Sequence, residues 1–537
     1  MDDDAPARWF LRRGERGNAA SRLHAEDSGN RSWSEGNAVR PLVHGATYFR
    51  RLYEELSQLR AGDRVYFTDW RGDPDERLLP DGPSIGDLLA GLARDGIEVR
   101  GLLWRSHSDH FSSFSAQENQ HLGREINEAG GEALLDQRVR RFGAHHQKLF
   151  IVRRREDPAR DVAFVGGIDL SHGRRDDEEH AGDPQTQSID KRYGKRAPWH
   201  DAALELRGPV VADLLTTFTE RWDDPHPLDR RTPYRMLVQR ATRMPRHPKP
   251  LPESFPPPPE AGPHAVQLLR TYGYKRPGYS FAPRGERSVA RAYAKAFSRA
   301  QSLIYVEDQY LWSEEVARGI AEALRRSPGL NVIAVVPRYP DADSALSGPP
   351  NRIGQLRAMQ VLREAAPDRV GVFDLENAQG TPIYVHAKVC VVDDVWMTCG
   401  SDNFNRRSWT SDSELTCAVI DATPDDREPR LIGPDGERAR VLPRNLRLQL
   451  WSEHLGLPAD DPRLLDPAAG LALWNSCADA LQRWHDGGQQ GPHPSVRVRR
   501  HEPAPVTTAQ RLWAEPLYAA VFDPDGRPRP LRRRNQF

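Results

Sequence analysis

Cysteine is scarce: there are four in 537 residues. Four thiols in a chain of this length do not make the disulfide framework of a small secreted domain. Cys390, Cys399 and Cys417 lie close in sequence, but their spacing matches no zinc pattern, so buried thiols are expected. An excess of one charge is missing too, because 76 Lys and Arg balance 76 Asp and Glu. That balance counts against a polycation that coats nucleic acid, while leaving local basic patches open. No stretch approaches the roughly 18 apolar residues of a membrane span. The opening MDDDAPARWFLRRGERGN is acidic and then basic, without the apolar core of a signal peptide. These absences leave a soluble, cytoplasmic globular protein, long enough for two or three domains or one large duplicated unit.

What is present is alternation. Apolar strand-like runs alternate with amphipathic helical ones, the grammar of an α/β class. RVYFTDW (64–70) reads as a strand, SIGDLLAGLARDG (84–96) as a helix and IEVRGLLW as the next strand. GPVVADLLTTFTERW (208–222) is a helix with one apolar face. RMPRHPKPLPESFPPPPEAGPH (243–264) is too proline-rich for regular structure and reads as a semi-rigid linker. After it the alternation resumes in SVARAYAKAFSRA, SLIYVEDQYLW, EEVARGIAEALRRS and NVIAVVP. The expected division is a first lobe over 1–242, the linker 243–264, a second lobe over 265–486 and a tail over 487–537. Turn formers and arginines make that tail either loosely attached or wrapped over the surface.

In YVHAKVCVVDDVWMTCGSDNFN (384–405) a histidine and a lysine stand two apart, ahead of four mostly apolar residues and an aspartate. Side chains alternate faces along a strand, so His386 and Lys388 address one point while the run after them anchors in the interior. Asp393 closes the strand, and the turn Gly400-Ser401-Asp402-Asn403 can bring a hydroxyl and an amide to the same point. A fixed cation, an imidazole and neutral donors suit a phosphate oxyanion. Upstream, AHHQKLFIV (144–152) repeats the pattern with His146 and Lys148, and VAFVGGIDLS (162–171) supplies a glycine-rich turn. His-x-Lys alone arises by chance; the same triplet with the same sequel on both sides of a linker implies a duplicated unit. Two histidines facing one phosphodiester divide the labour. One attacks phosphorus; the other protonates the departing alcohol and later takes a proton from water or an incoming alcohol. The two lysines supply the charge a magnesium ion otherwise would, and no carboxylate cluster of the two-metal kind stands near these histidines in sequence. No metal and no cofactor is therefore expected.

HAKVCVVD followed by GSDNFNRRS resembles the second signature of the phospholipase D superfamily, HxKxxxxD then GSxN. HHQKLFIV, AFVGGIDLSHGRRD, PWHDAALELRGP and FTERW resemble the first lobe of its eukaryotic and plant-type branch, and IYVEDQYLW and LRLQLWSEHLG the second lobe. The matches run from about residue 60 to 456. The resemblance implies two α/β lobes, each a mixed sheet flanked by helices, related by pseudo-twofold symmetry with the active site at their interface. It implies His146 as nucleophile, His386 as general acid and base, Lys148 and Lys388 as phosphate-binding cations, and Asp393 as the last member of the second motif. Ser401 and Asn403 from one turn, with Gly167 and Asp169 from the other, are the implied phosphate contacts. A carboxylate is expected to hold each imidazole, Asp201 for His146 and Glu414 for His386. The implied activity is cleavage or transfer of the distal phosphodiester of a glycerophospholipid at a membrane surface, with water or an alcohol as acceptor.

One position departs. Seven residues after His146 stands Arg153, so the first motif is HxKxxxxR, followed by a charged hairpin. The aspartate missing there is read as a strand tether, with Asp157 or Asp161 as its substitute. His145 reads as a packed histidine, the tryptophan of DWRGD (69–73) as packing or a headgroup contact, and Arg532 to Arg534 as a solvated charge run. Glu307 and Gln309 share a face, either lining a pocket or tying the strand end. No segment before residue 60 has room for a calcium-binding membrane domain, so no calcium dependence is expected. The rivals are a nuclease or a phosphatidyltransferase on the same scaffold, and a lipid-binding pseudoenzyme motivated by Arg153. Neutral charge weighs against the nuclease.

Overall fold

The computed structural model describes residues 4–27, 29–106, 113–228, 245, 247–341, 348–433 and 437–537, with backbone alone at 113–116. Short runs rich in Val, Ile, Leu and Phe form seven described strands of a first sheet. They are β1 (Ser34–Val43), β2 (Arg64–Asp69), β3 (Glu98–Trp104), β4 (Glu132–Asp136), β5 (Leu149–Arg153), β6 (Val162–Gly166) and β7 (Ala202–Arg207). Their spatial order is β4-β3-β2-β5-β6-β7-β1, parallel between β4, β3 and β2 and antiparallel elsewhere. The second sheet repeats it: β8 (His264–Tyr272), β9 (Leu303–Glu307), β10 (Asn331–Val335), β11 (Val370–Glu376), β12 (Val389–Val392), β13 (Trp396–Gly400) and β14 (Glu414–Asp421). The order is β11-β10-β9-β12-β13-β14-β8, with the same parallel and antiparallel steps. Each strand of the first sheet thus has its counterpart seven places on, which is the duplication implied by the repeated motif.

Two joints make one body of the two sheets. β1 pairs with β8 at Ser34↔Val266 and Asn37↔His264. The short segments Trp199–His200 and Pro382–Val385 pair in parallel across the seam, Tyr384 with Trp199 and Val385 with His200. Period-two alternation assigns the side chains to layers. Leu149 and Ile151 of β5, with Val389 and Val391 of β12, enter one shared core. Helices α4 (Val210–Trp222) and α8 (Val441–Leu455) cover it with Leu214, Phe218, Trp222 and Trp451. Phe150 and Val152 face a separate outer layer with α1 (Gly45–Leu56), α2 (Ile85–Arg94) and α3 (Ser113–Glu128). Cys390 and Val392 face the matching layer of α5 (Ser288–Phe297), α6 (Glu314–Arg326) and α7 (Gly348–Ala365). Each fully buried Val or Leu contributes about 1.5–3 kcal/mol, so β5 and β12 are firm footings for polar residues at their entrances. The four cysteines are free thiols; Cys390, Cys399 and Cys417 are buried.

One boundary needs correction. Trp9, Phe10, Leu11 and Trp33 pack in the second lobe's outer layer and Arg16 pairs with Glu286 at 2.7 Å, whereas Ser21 and Arg22 bond Glu220 of α4. The segment ahead of β1 therefore lies across both lobes rather than on the first alone. Of the two readings of the tail, the contacts fit the wrapped one. Val498–Arg500 adds a strand to the edge of β11, and the Tyr518 hydroxyl donates to the Trp312 carbonyl at 2.7 Å. The described part of the linker (245 and 247–263) has no regular structure and runs along the first lobe. There the Lys249 carbonyl accepts from the Trp222 indole at 2.7 Å.

Candidate active site

His146 and His386 stand just ahead of β5 and β12, at the seam, and line one cavity of about 370 Å³. Backbone bonds across the seam place them. His146 N donates to the Ser413 carbonyl at 2.9 Å, and His386 N donates to the His200 carbonyl at 2.7 Å. In each case the residue after the accepting carbonyl is a buried carboxylate of the opposite lobe. Glu414 Oε2 accordingly accepts from His146 Nδ1 at 3.0 Å, and Asp201 Oδ2 from His386 Nδ1 at 2.6 Å. The expected pairing within each lobe is thus corrected to a crossed one. The physical reason is that the histidine segments leave their own sheets to bond the other lobe's strand entrance. With both Nδ1 atoms engaged, Nε2 is the nitrogen left to face the cavity.

Burial and neighbouring cations favour the neutral form of both rings. Burial, then the adjacent Lys148, push the His146 imidazole well below its ordinary pKa. Burial, then Lys388 and Arg174, do the same to His386. Burial pushes the Glu414 carboxyl up to about 7, against the Ser401 hydroxyl bond and the charge of Lys148, and it raises Asp201 as well. Lys388 is lowered to about 8 by burial, which Asp201 opposes. The lysines sit behind the histidines. Lys148 Nζ donates to the His146 carbonyl at 3.0 Å and pairs with Asp169 at 3.1 Å. Lys388 Nζ donates to the His386 carbonyl and to Gln309 Oε1 at 3.3 Å.

Of the four turn residues read as phosphate contacts, Asn403 lines the cavity, and its buried Oδ1 has no protein partner. The other three are corrected, because their groups are engaged within the protein. Ser401 Oγ donates to Glu414 at 2.5 Å and accepts from Leu415 N at 3.0 Å. Gly167 N bonds the Ala202 carbonyl at 3.0 Å, and a Cβ on Gly167 would meet Asp201 Oδ1 at 2.3 Å. Asp169 pairs with Lys148 and, at 3.5 Å, with Arg174. An anionic carboxylate there repels a phosphate oxygen rather than binding it.

Asp393 is corrected more strongly. It sits at the far end of β12 and accepts from Gln301 N, Ser302 N and Leu303 N at 2.8–2.9 Å. It ties the β12 turn to the start of β9 and never approaches the histidines. In the first lobe the same join is made from the other side. Asp63, just before β2, accepts from Arg155 N at 2.9 Å. Arg153, in register opposite Arg64, pairs with Asp161 at 2.5 Å, and Asp161 also accepts from Arg154 N at 2.6 Å. The join to β2 is thus made by Asp63, which the sequence reading did not name, while Asp161 bonds Arg153 and Arg154 within its own hairpin.

Sequence reasoning passed over Trp199 and Arg174, and named Trp70 as packing or a headgroup contact. Trp70 and Trp199 flank the two imidazoles at ring distances of 6.0 and 5.1 Å. The Arg174 guanidinium lies 4.0 Å over Trp199 and lines the cavity. Their signal was present in DWRGD, PWHD and SHGRRD, but no spacing rule separates such residues from packing. Gln309 lines the cavity, whereas Glu307, two residues earlier, turns away to bond His200 and His454 at 2.7 Å each. His145 is fully buried and packs, as expected.

Two family descriptions match this architecture lobe by lobe. Residues 65–232 match the family described as phospholipase D, and residues 293–425 match the phospholipase D-like domain described under cardiolipin synthase. The chain belongs to the phospholipase D superfamily. Its relatives within the superfamily include phospholipase D alpha 2 of Oryza sativa subsp. japonica, 25% identical across 78% of this chain and 66% of that protein. Phospholipase D gamma 2 of Arabidopsis thaliana is 25% identical across 84% of this chain and 66% of that one. The chain therefore spans just under two thirds of the length of these plant-type phospholipases D. Among solved structures it is similar to a phosphatidylserine synthase of Haemophilus influenzae, with a TM-score of 0.49 and 15% identity over 72% of this chain and 82% of that one. No described helix of this superfamily member is long and apolar enough to cross a membrane.

Proposed function

We propose that the protein is a phosphodiesterase of the phospholipase D type. It cleaves the distal phosphodiester of a glycerophospholipid to phosphatidic acid, or transfers the phosphatidyl group to an alcohol. The observation that carries this reading is the pair of neutral imidazoles in one cavity, each held through Nδ1 by a buried carboxylate of the opposite lobe. His146 Nε2 has a free lone pair to attack phosphorus, and Glu414 stabilises the cation that forms on the ring. A bound phosphate anion raises the pKa of His386, which gives its proton to the departing alcohol. It then removes one from water or an acceptor alcohol that attacks the phosphohistidine. Lys148, Lys388 and Arg174 offset the charge on the non-bridging oxygens, and Asn403 offers a neutral amide donor. The substrate's acyl chains stay in a membrane surface while the phosphate enters the cavity.

The test is incubation of the protein with mixed phospholipid vesicles and a primary alcohol, with and without chelator, followed by mass spectrometry. His146→Ala and His386→Ala run in parallel. The expected outcome is phosphatidic acid plus phosphatidyl alcohol, both lost in each variant by about 10³-fold or more. A folded protein that releases neither product sinks the proposal. The second-lobe match to a cardiolipin synthase description supports one further arm, with phosphatidylglycerol as the acceptor.

A further inference from the structure

The seam holds a second group of imidazoles that the proposed chemistry does not use. His44 precedes α1, His180 comes from a first-lobe loop and His200 from the short seam strand Trp199–His200, and Glu453 projects from α8 of the second lobe. Three nitrogens approach the Glu453 carboxylate. His44 Nε2 is 2.8 Å from Oε2, His180 Nε2 is 2.9 Å from Oε1, and His200 Nδ1 is 3.7 Å from Oε1. One donor atom from each of the four residues lies within 4.8 Å of all the others. The histidines are buried, and the group meets solvent at a cleft lined by His44, Glu178, Glu179 and Glu453.

The outer partners decide what the inner nitrogens carry. Carbonyl and carboxylate oxygens only accept. His180 Nδ1, 3.1 Å from the Trp199 carbonyl, therefore donates to it. His200 Nε2, 2.7 Å from Glu307 Oε2, donates likewise. Glu307 also accepts from His454 Nε2 at 2.7 Å and from the Tyr305 hydroxyl at 2.6 Å, so it is fully engaged as an anion. A neutral imidazole protonated outside presents a bare lone pair inside. His200 Nδ1 is such a lone pair, while His180 Nε2 stands at hydrogen-bond distance from the Glu453 carboxylate and shares a proton with it that an incoming ion would displace. His200 Nδ1 is completely buried and has no hydrogen-bond partner. The Arg497 guanidinium, 3.5 Å from Glu453 Oε1, offsets the carboxylate from one side, but His200 Nδ1 is left without a partner. One proton can bridge His180 and Glu453, but it leaves His200 Nδ1 unsatisfied. Outward donation to a carbonyl and a carboxylate is also how metal-bound histidines are oriented.

We propose that His44, His180, His200 and Glu453 bind a divalent transition-metal ion, with zinc the best fit. Three imidazole nitrogens and one carboxylate oxygen make a tetrahedral zinc set, and a nitrogen-rich set disfavours calcium and magnesium. The ion takes three ligands from one lobe and the fourth from the other, so it clamps the seam. His200 immediately precedes Asp201, and its carbonyl receives the His386 amide. The ion is therefore a positioning element for His386, separate from the atoms that react, and the proposal stands whatever the substrate is.

The experiment strips the full-length protein with chelator, then titrates it with Zn²⁺ by calorimetry and with Co²⁺ by visible absorption. One zinc per chain is expected, with a Kd below about 1 µM at neutral pH, together with an intense tetrahedral cobalt band. His180→Asn and Glu453→Gln should each weaken zinc binding by about 100-fold and remove the zinc-dependent rise in the thermal midpoint. Circular dichroism reports whether these variants fold. If either does not, wild-type stoichiometry and the cobalt spectrum decide the matter alone. Binding below half an equivalent, an octahedral cobalt spectrum, or affinity unchanged in folded variants overturns the proposal. A group held only by a proton gives the first of these results.

Discussion

Glu414 shows how one residue can serve two opposed demands. Burial raises its carboxyl to about 7, while the Ser401 hydroxyl and Lys148 favour the ionised form. An unfolded carboxyl titrates near 4.3, roughly, so between that pH and about 7 the folded state holds a proton the unfolded state has lost. Its contribution to stability is therefore greatest below the unfolded pKa and falls as pH rises through about 7. Activity runs the other way, because only the ionised carboxylate has the charge that stabilises the cation formed on His146. We expect kcat/KM to rise with pH through an apparent pKa near 7, and that limb to vanish in Glu414→Gln, whose kcat drops by about 10–100-fold. A pH–rate profile of both proteins checks it. The crossed pairing has its own test. The ¹⁵N shifts of the His146 ring should respond to Glu414→Gln and stay in place in Asp201→Asn, with the reverse for His386; the opposite assignment would restore pairing within each lobe.

At the scale of elements, the join between a motif strand and its sheet neighbour, β12 with β9 and β5 with β2, is made twice with different residues. In the second lobe one carboxylate, Asp393, receives three amides. Asp393→Ala leaves buried donors unpaired and should cost about 3 kcal/mol in chemical denaturation. The kcat of the molecules that remain folded should change little, since Asp393 touches neither histidine. In the first lobe Arg153 occupies the equivalent register, bonded to Asp161 and to the Pro256 carbonyl at 2.6 Å. Arg153→Asp restores the expected motif letter but sets a second carboxylate against Asp161. We expect a loss of about 3 kcal/mol with no gain in turnover; greater activity in that variant would return a catalytic meaning to the aspartate.

For the whole molecule, the tail completes the cavity. Val521 and Phe522 form part of its wall, the Val521 carbonyl accepts from Arg407 at 2.8 Å, and Asp523 accepts from Arg407 N at 2.7 Å. Arg407 in turn reaches the Phe142 carbonyl at 2.9 Å, which links the tail to the first lobe. Removing residues 507–537 should lower the thermal midpoint and raise KM for phospholipid several-fold more than it lowers kcat. Equal losses in kcat and KM, or none, would assign the tail to stability alone.

Period-two and period-3.6 patterning made most of the elements legible in the sequence, because each strand and helix here buries its own apolar residues. β5 and β12, with His146-Lys148 and His386-Lys388 at their entrances, were readable for that reason, and so was the duplication. Four things were decided only by the tertiary structure: the crossed Glu414 and Asp201 partners, the engagement of Ser401 and Asp169, the packing of Trp9 and Trp33 on the second lobe, and the imidazole group around Glu453. All but the second depend on contacts between residues 180 or more apart, or across the two lobes; Ser401 and Asp169 are met by residues of their own lobes. Local patterns record which face of an element is buried. They carry no record of which distant side chain meets it there, since that is set when two sheets close edge to edge and the seam between them is filled.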